Sequence, residues 1–354
     1  MRVDDFDFNL PESVIALEPA RPRDSARLLH VKNSTYIDKQ IIELPDLLRE
    51  GDLLVANNTK VIPAQLKGLR YARNEYGSDV QVDVTLHKDI SDGEKIDEQM
   101  WRAFIRPAKR LKVGDVIEFG KDFRANIVER EGAEAVLCFE KSTHRFREGL
   151  LEYGAPPLPP YIARKRSLRD QDSDDYQTHF ASEEGSVAAP TAGLHFTDRL
   201  LAKLKTKTIG VETITLHVGA GTFLPMTVDD TNDHKMHSEW GDITQDQADR
   251  INAVRANGGR IFAVGTTSLR LLESAVDDAG RIKPFRGETD IFITPGYEFR
   301  GIDGLMTNFH LPRSTLFMLV CALSGTETMK AAYAHAINVG YRFYSYGDAC
   351  LLER

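Results

Sequence analysis

Arg260-Ile261-Phe262-Ala263-Val264, then Gly265-Thr266-Thr267-Ser268, then Leu269-Arg270-Leu271-Leu272-Glu273, decides the fold class. A short apolar run closed by a Gly-Thr-Thr-Ser turn reads as a buried strand feeding a helix N-terminus. Similar units lie on either side. Thr197 is placed to cap a helix carrying Leu200, Leu201 and Leu204, and Val211 to Val218 reads as the next strand. Asp246 to Ala256 has a core face of Ala248, Ile251 and Val254. Ile291-Phe292-Ile293 reads as a strand, and Leu316 to Leu323 as a helix apolar all round and therefore central. Strands alternating with helices imply an α/β unit.

Upstream the texture changes. Val80, Val82, Val84 and Leu86 alternate with Gln81, Asp83, Thr85 and His87, and Ala133, Ala135, Leu137 and Phe139 alternate likewise. Period-two runs separated by turn signals, with no capped helical pattern, imply a small antiparallel β-barrel. The polar-face position of His87 reads as solvated. The expected architecture is a mixed-sheet α/β catalytic domain formed by residues 1–60 and 150–354, with the barrel, residues 61–149, inserted. Pro156-Pro157-Leu158-Pro159-Pro160-Tyr161 reads as an extended strut at the junction, and the aromatic Tyr341 to Asp348 as core strand.

The bulk numbers fit this division. The chain has 354 residues, of which 42% are hydrophobic and 28% charged. That length suits about two domains. Lys plus Arg number 45 against 53 Asp plus Glu, a net charge of −8, so nucleic acid is not held by bulk charge; a local patch is not excluded. The three cysteines are scattered without CxxC spacing, which argues for a reducing compartment and against a cysteine zinc site. The acidic N-terminus is no signal peptide, and the longest strongly apolar run, eight residues, is too short to span a bilayer. A cytoplasmic protein is expected.

Four turns offer small or hydroxylated residues and free N–H groups suited to a carboxylate or phosphate: around Gly193, Gly219–Thr222, Gly265–Ser268 and Asn308–Thr315. Three hold or adjoin a histidine: His195, His217 and His310. Imidazole is the side chain that moves a proton near neutral pH, and a buried structural imidazole is the plain alternative for each. Gly219-Ala220-Gly221 lacks the third glycine of a dinucleotide fingerprint, and Phe223-Leu224-Pro225 cannot open a helix, so a Rossmann reading is rejected. In Asp233-His234-Lys235-Met236-His237-Ser238-Glu239 no third ligand joins the two histidines, which favours a polar contact segment over a metal site. Arg102, Arg106, Lys109, Arg110 and Lys112 fall within eleven residues beside Trp101 and Phe104, and Arg164-Lys165-Arg166 form a second cluster. Both a solvated face and a phosphate-contact surface fit them.

Longer phrases are more specific. Leu158-Pro159-Pro160-Tyr161-Ile162, Val187-Ala188-Ala189-Pro190-Thr191-Ala192-Gly193-Leu194-His195-Phe196, Thr215-Leu216-His217-Val218-Gly219-Ala220-Gly221-Thr222-Phe223, Ala263-Val264-Gly265-Thr266-Thr267-Ser268 and Thr307-Asn308-Phe309-His310-Leu311-Pro312 occur in order. Together with Asn57-Asn58-Thr59-Lys60-Val61-Ile62-Pro63-Ala64 and Tyr346-Gly347-Asp348-Ala349, they make the chain resemble, end to end, the S-adenosylmethionine:tRNA ribosyltransferase-isomerases of queuosine biosynthesis. Lys60 and Gln65 stand where that family is expected to carry arginines. The resemblance implies an α/β domain with an inserted β-barrel. It also implies transfer and isomerisation of the ribosyl part of S-adenosylmethionine onto 7-aminomethyl-7-deazaguanine at the tRNA wobble position. The products would be epoxyqueuosine, adenine and methionine. No permanently bound cofactor is expected, and the partner is a tRNA with a GUN-type anticodon, met by a monomer.

On that reading His195, His217 and His310 are the proton carriers. Thr191, Gly193, Gly219, Gly221, Thr222, Gly265, Thr266, Thr267, Ser268, Asn308 and Arg313 line the substrate site. Arg102, Arg106, Lys109, Arg110, Lys112, Arg164, Lys165 and Arg166 meet the tRNA, and no metal takes part. Two other classes remain open from the residues alone: an RNA-binding module without chemistry, and a non-Rossmann S-adenosylmethionine-dependent tRNA methyltransferase.

Overall fold

A computed structural model describes residues 1–91, 97–219, 221 and 226–354. The stretch Ile261–Val264 is the middle strand of a nine-stranded mixed sheet. The strand order is Phe285–Thr289, Glu239–Ile243, Gly210–Leu216, Leu53–Asn57, Ile261–Val264, Gly304–Asn308, Ala349–Glu353, Arg27–Lys32 and Thr35–Gln40. The four strands from Gly210–Leu216 to Gly304–Asn308 run parallel. Ala349–Glu353 is antiparallel to the last of these and parallel to Arg27–Lys32.

The apolar runs of the central strands follow from cover on both faces. One face of the sheet, with Leu53, Val55, Ile261, Ala263 and Leu305, packs on Leu269, Leu272, Phe317 and Met318 from helices Thr266–Ala275 and Thr315–Ser324. The other face, with Leu54, Ala56, Phe262, Val264 and Met306, packs on Phe196, Leu200 and Leu204. Helix Asp198–Thr206 begins where expected, Thr197 Oγ1 accepting the Leu200 N–H at 3.2 Å.

The barrel follows Thr59–Val61. Its strands are Gln65–Arg70, Val80–Asp89, Gln99–Arg106, Glu134–Phe139, Phe123–Glu131 and Val116–Gly120, and a pairing of Leu69 with Glu118 closes it. Val80, Val82, Val84, Leu86, Ala103 and Ile105 fill the interior, as the period-two pattern requires. Helix Thr143–Tyr153 inserts Phe146 and Leu150 into this core, and Gly154–Ala155 pair with Leu66 and Gln65 as the chain leaves.

Four local expectations are corrected. The barrel region does contain a helix, Thr143–Tyr153; it buries only Phe146, Gly149 and Leu150 and has no side-chain cap, so its signal in sequence is weak. Tyr341 to Asp348 is not a strand: the aromatics are largely core, but Tyr344 turns the chain at φ +75°, and the strand is Ala349–Glu353. Ile291 to Ile293 is irregular, and the edge strand is Phe285–Thr289, antiparallel to Glu239–Ile243. The proline strut shortens, since Pro160–Ala163 form one helical turn.

Candidate functional site

The four parallel strands end at Leu216, Asn57, Val264 and Asn308. The turns after them gather on one edge of the sheet, where α/β ligands bind. Two cavities open there, and Val218 lines both.

The smaller, about 80 Å³, is bounded by Pro190–Ala192, Gly265–Thr267, Thr307–His310 and Tyr344. Gly265 sits at φ +87°, a conformation costly for any side chain, and delivers the chain to the N-terminus of Thr266–Ala275. Asn308 organises this pocket. Its Oδ1 accepts from Thr191 Oγ1 at 3.2 Å, and its Nδ2 lies 3.3 Å from His195 Nε2. Thr307 Oγ1 and His310 Nε2 are 3.2 Å apart. Burial holds His195 down to about 4 and His310 to about 3, so both imidazoles are neutral at neutral pH. His195 lies behind the pocket rather than in its lining.

The larger cavity, about 690 Å³, is a cleft between the barrel and the sheet edge. The sheet side supplies His217, Gly219, Gly221, His237, Glu239 and Trp240; the barrel side supplies His87, Trp101, Arg102, Glu134 and Phe146. His217 Nδ1 is 2.8 Å from Thr59 Oγ1, and its ring stacks on Trp240 at 5.3 Å. Burial lowers its pKa, with Glu183 and Asp89 opposing. Gly185, at φ +143°, lets the backbone pass this ring: a Cβ there would stand 2.9 Å from it. Asn57 makes an Asx-type turn under the site, its Oδ1 accepting the N–H groups of Thr59 and Leu216 at 3.0 and 3.1 Å.

Gly219 is anchored from below. Glu239 Oε1 accepts the Gly219 N–H at 3.2 Å, and its Oε2 takes Arg270 Nη1 at 2.5 Å in a pair only 7–8% exposed. Gly221 packs on the His237 ring, 2.8 Å from where its Cβ would be.

The structure thus separates the expected site residues. His217, Gly219, Gly221 and Arg102 meet at the cleft, while Thr191, Gly265, Thr266, Thr267, Asn308 and His310 meet at the small pocket. Thr222 lies outside the described residues. Gly193 is buried against Thr178, and Ser268 is fully buried within the helix that starts at Thr266. Arg313 faces elsewhere, paired with Asp4 at 2.6 Å. Arg106, Lys109, Arg110 and Lys112 are exposed on the barrel, and Arg164 on the junction. Lys165 is tied to Glu12 at 2.8 Å, and Arg166, gripping Asp172 bidentately at 2.6 and 2.7 Å, is part of the junction's framework.

His87 corrects the solvated reading. It is the extra residue of a β-bulge, which turns it into the cleft, stacked on Phe104 at 4.5 Å and 3.3 Å from Glu134. Sequence reading also passed over His237, Glu239 and Trp240 as cleft residues. The signal was the segment Asp233 to Glu239, whose His237 and Glu239 pack on Gly221 and Gly219. Among the described residues no group of three or more His, Cys, Asp or Glu is arranged to hold a metal ion.

Residues 3–352 match the family model described as queuosine biosynthesis protein. The chain belongs to this family. A relative from Parvibaculum lavamentivorans is 59% identical over 355 residues, covering 99% of both chains, and one from Nitrobacter winogradskyi is 57% identical over 362, covering 99% of this chain and 98% of the relative. Both are named S-adenosylmethionine:tRNA ribosyltransferase-isomerase. Among solved structures, S-adenosylmethionine tRNA ribosyltransferase from Thermotoga maritima is similar over 98% of this chain and 99% of its own, with 31% identity and a TM-score of 0.54. Membership in the queuosine biosynthesis family thus agrees with the sheet and barrel described above. No helix among the described residues is long and apolar enough to cross a membrane.

Proposed function

We propose that this chain is an S-adenosylmethionine:tRNA ribosyltransferase-isomerase. It would transfer the ribosyl group to the aminomethyl nitrogen of 7-aminomethyl-7-deazaguanine at the wobble position of a tRNA with a GUN-type anticodon. The observation that carries this reading is the end-to-end likeness, at 59% identity, to a relative of that name. A two-walled cleft with titratable groups at its sheet edge supports it. Residues 1–60 and 150–354 form the catalytic domain on this reading, residues 61–149 the inserted one, and the protein works as a cytoplasmic monomer.

The reaction asks for a base that takes a proton beside the sulfonium, a proton for departing adenine, and a free amine as nucleophile. His217 is the first proton carrier. Its Nδ1 is tied to Thr59 Oγ1 at 2.8 Å, which leaves Nε2 as the nitrogen for proton transfer. His237, against Gly221, is the second. His195 and His310, too weakly basic for proton transfer near pH 7, hold Asn308 and Thr307 in place. Thr191, Thr266, Thr267 and Asn308 receive the methionine carboxylate at the helix N-terminus. Exposed Arg102, Arg106, Lys109, Arg110, Lys112 and Arg164 meet tRNA phosphates.

The test is incubation with S-adenosylmethionine and tRNA carrying the aminomethyl deazaguanine. Adenine and methionine released together support the proposal. S-adenosylhomocysteine would mean methylation, and no product an RNA-binding module; either refutes it. Near-normal turnover in folded His217→Ala refutes the role given to His217.

A further inference from the structure

The barrel wall of the cleft holds a feature that the proton chemistry leaves unused. Trp101 is 4% exposed, lines the cleft, and its indole Nε1 has no hydrogen-bond partner among the described residues. A buried donor left unpaired costs about 1–3 kcal/mol, so an orphan at a cavity wall points to a ligand that satisfies it. Its surroundings are flat and apolar. The Phe146 ring lies 5.7 Å away at an interplanar angle of 26°, and Leu150 and Ile62 complete the surface. Gln99, whose Nε2 bonds Thr143 Oγ1 at 3.2 Å, and Glu184 stand beside it.

Three cations rim this part of the cleft, each in an exposed ion pair. They are Lys88 with Glu288 at 2.7 Å, Arg102 with Glu134 at 3.3 Å, and Arg147 with Glu184 at 3.5 Å. Exposed pairs are worth little, so these cations can turn to phosphates at small cost.

We infer that the barrel mouth around Trp101 is the subsite for the extruded wobble base of the tRNA, with the indole N–H donating to the carbonyl oxygen of a deazaguanine ring. This rests on the ribosyltransferase reading and deepens it. A nucleotide brings flanking phosphates that Lys88, Arg102 and Arg147 can meet on leaving their glutamate partners, whereas S-adenosylmethionine has none. The carbonyl of deazaguanine accepts the indole N–H, and Gln99 and Glu184 offer acceptors for the N–H groups of the same edge. An extruded base is commonly read at its edge while lying against apolar or aromatic side chains. S-adenosylmethionine then occupies the opposite, sheet-edge wall.

The test is equilibrium binding with Trp101→Phe, which keeps an aromatic ring against Phe146 and removes the donor. Affinity for tRNA bearing aminomethyl deazaguanine should fall about tenfold, the worth of roughly one hydrogen bond. Affinity for S-adenosylmethionine, and for the same tRNA with adenine at that position, should stay within twofold. Phe146→Leu, with the indole intact, should weaken the same tRNA by a smaller factor. The inference is overturned if S-adenosylmethionine binding falls and tRNA binding does not, or if the two tRNAs weaken equally or not at all. Binding is read without turnover. A wild-type protein that releases no adenine therefore sinks the catalytic reading while the subsite remains independently measurable.

Discussion

The buried Glu239–Arg270 pair under Gly219 allows a prediction with a magnitude. Replacing Glu239 with Leu leaves the Arg270 guanidinium in a site only 7% exposed, where among the described residues Nη2 has no partner and Nε has the Ile291 carbonyl at 3.3 Å. Stranding one member of a buried pair costs about 3–5 kcal/mol. At about 2.1 cal/mol/K of unfolding entropy per residue, a chain of 354 residues loses about 1.3 °C of Tm per kcal/mol, hence about 4–7 °C. Arg270→Met alone strands the carboxylate, which keeps the Gly219 N–H and should cost less. Combining both removes the uncompensated charge, so the double variant should recover at least about 2 kcal/mol relative to the sum of the singles. Urea unfolding of the four proteins measures the coupling. Glu239→Leu also frees the Gly219 N–H, so adenine release should stay impaired in the double variant even as stability returns. Additive single effects, or a double variant with full turnover, would refute the assignment of this pair as the anchor of Gly219.

Other predictions are more direct. In Gly185→Ala the new Cβ meets the His217 ring at 2.9 Å from a backbone at φ +143°, so turnover should fall at least about tenfold with a stability loss of about 1–3 kcal/mol; unchanged kinetics would place the ring elsewhere. His195 and His310 have folded pKa values of about 4 and about 3, below the ordinary 6.5. The unfolded chain therefore takes up protons first, so their stabilising effect is present above pH 6.5 and lost as pH falls through that window, at up to about 1.4 kcal/mol per unit per histidine. His310→Gln should flatten this slope in urea unfolding between pH 7 and 4. Neutralising Arg106 or Lys109 should weaken tRNA binding and reduce its logarithmic salt slope by about 1 each, whereas Arg166→Gln should lower Tm without changing that slope, because Arg166 is held by Asp172.

Much of the fold was legible because period and punctuation agreed. Ile261–Val264 is apolar throughout since helices cover both faces, and Val80 to Leu86 alternates since one face fills the barrel. The failures have physical causes. Helix Thr143–Tyr153 is held by the barrel core that receives Phe146 and Leu150, and Tyr341 to Asp348 owes its burial to packing from distant elements. The site divides in the same way. The turns after the strands could be named from their small residues, and His217 with them. Local sequence could not tell that His195 and His310 are desolvated, nor that a bulge turns His87 inward, because both depend on neighbours far along the chain. Arg166 looked like its basic neighbours until Asp172 was seen across the turn.

The placement of the barrel bears on the order in which this chain folds. Among the described residues its strands pair with one another and with Gly154–Ala155, so these pairings are available once residue 155 has been synthesised. The nine-stranded sheet must wait. Arg27–Lys32, among the earliest strands made, finds its parallel partner only in Ala349–Glu353, the last, which also joins it to Gly304–Asn308. Closing so long a loop is slow, and an unpaired strand edge is exposed to wrong partners meanwhile.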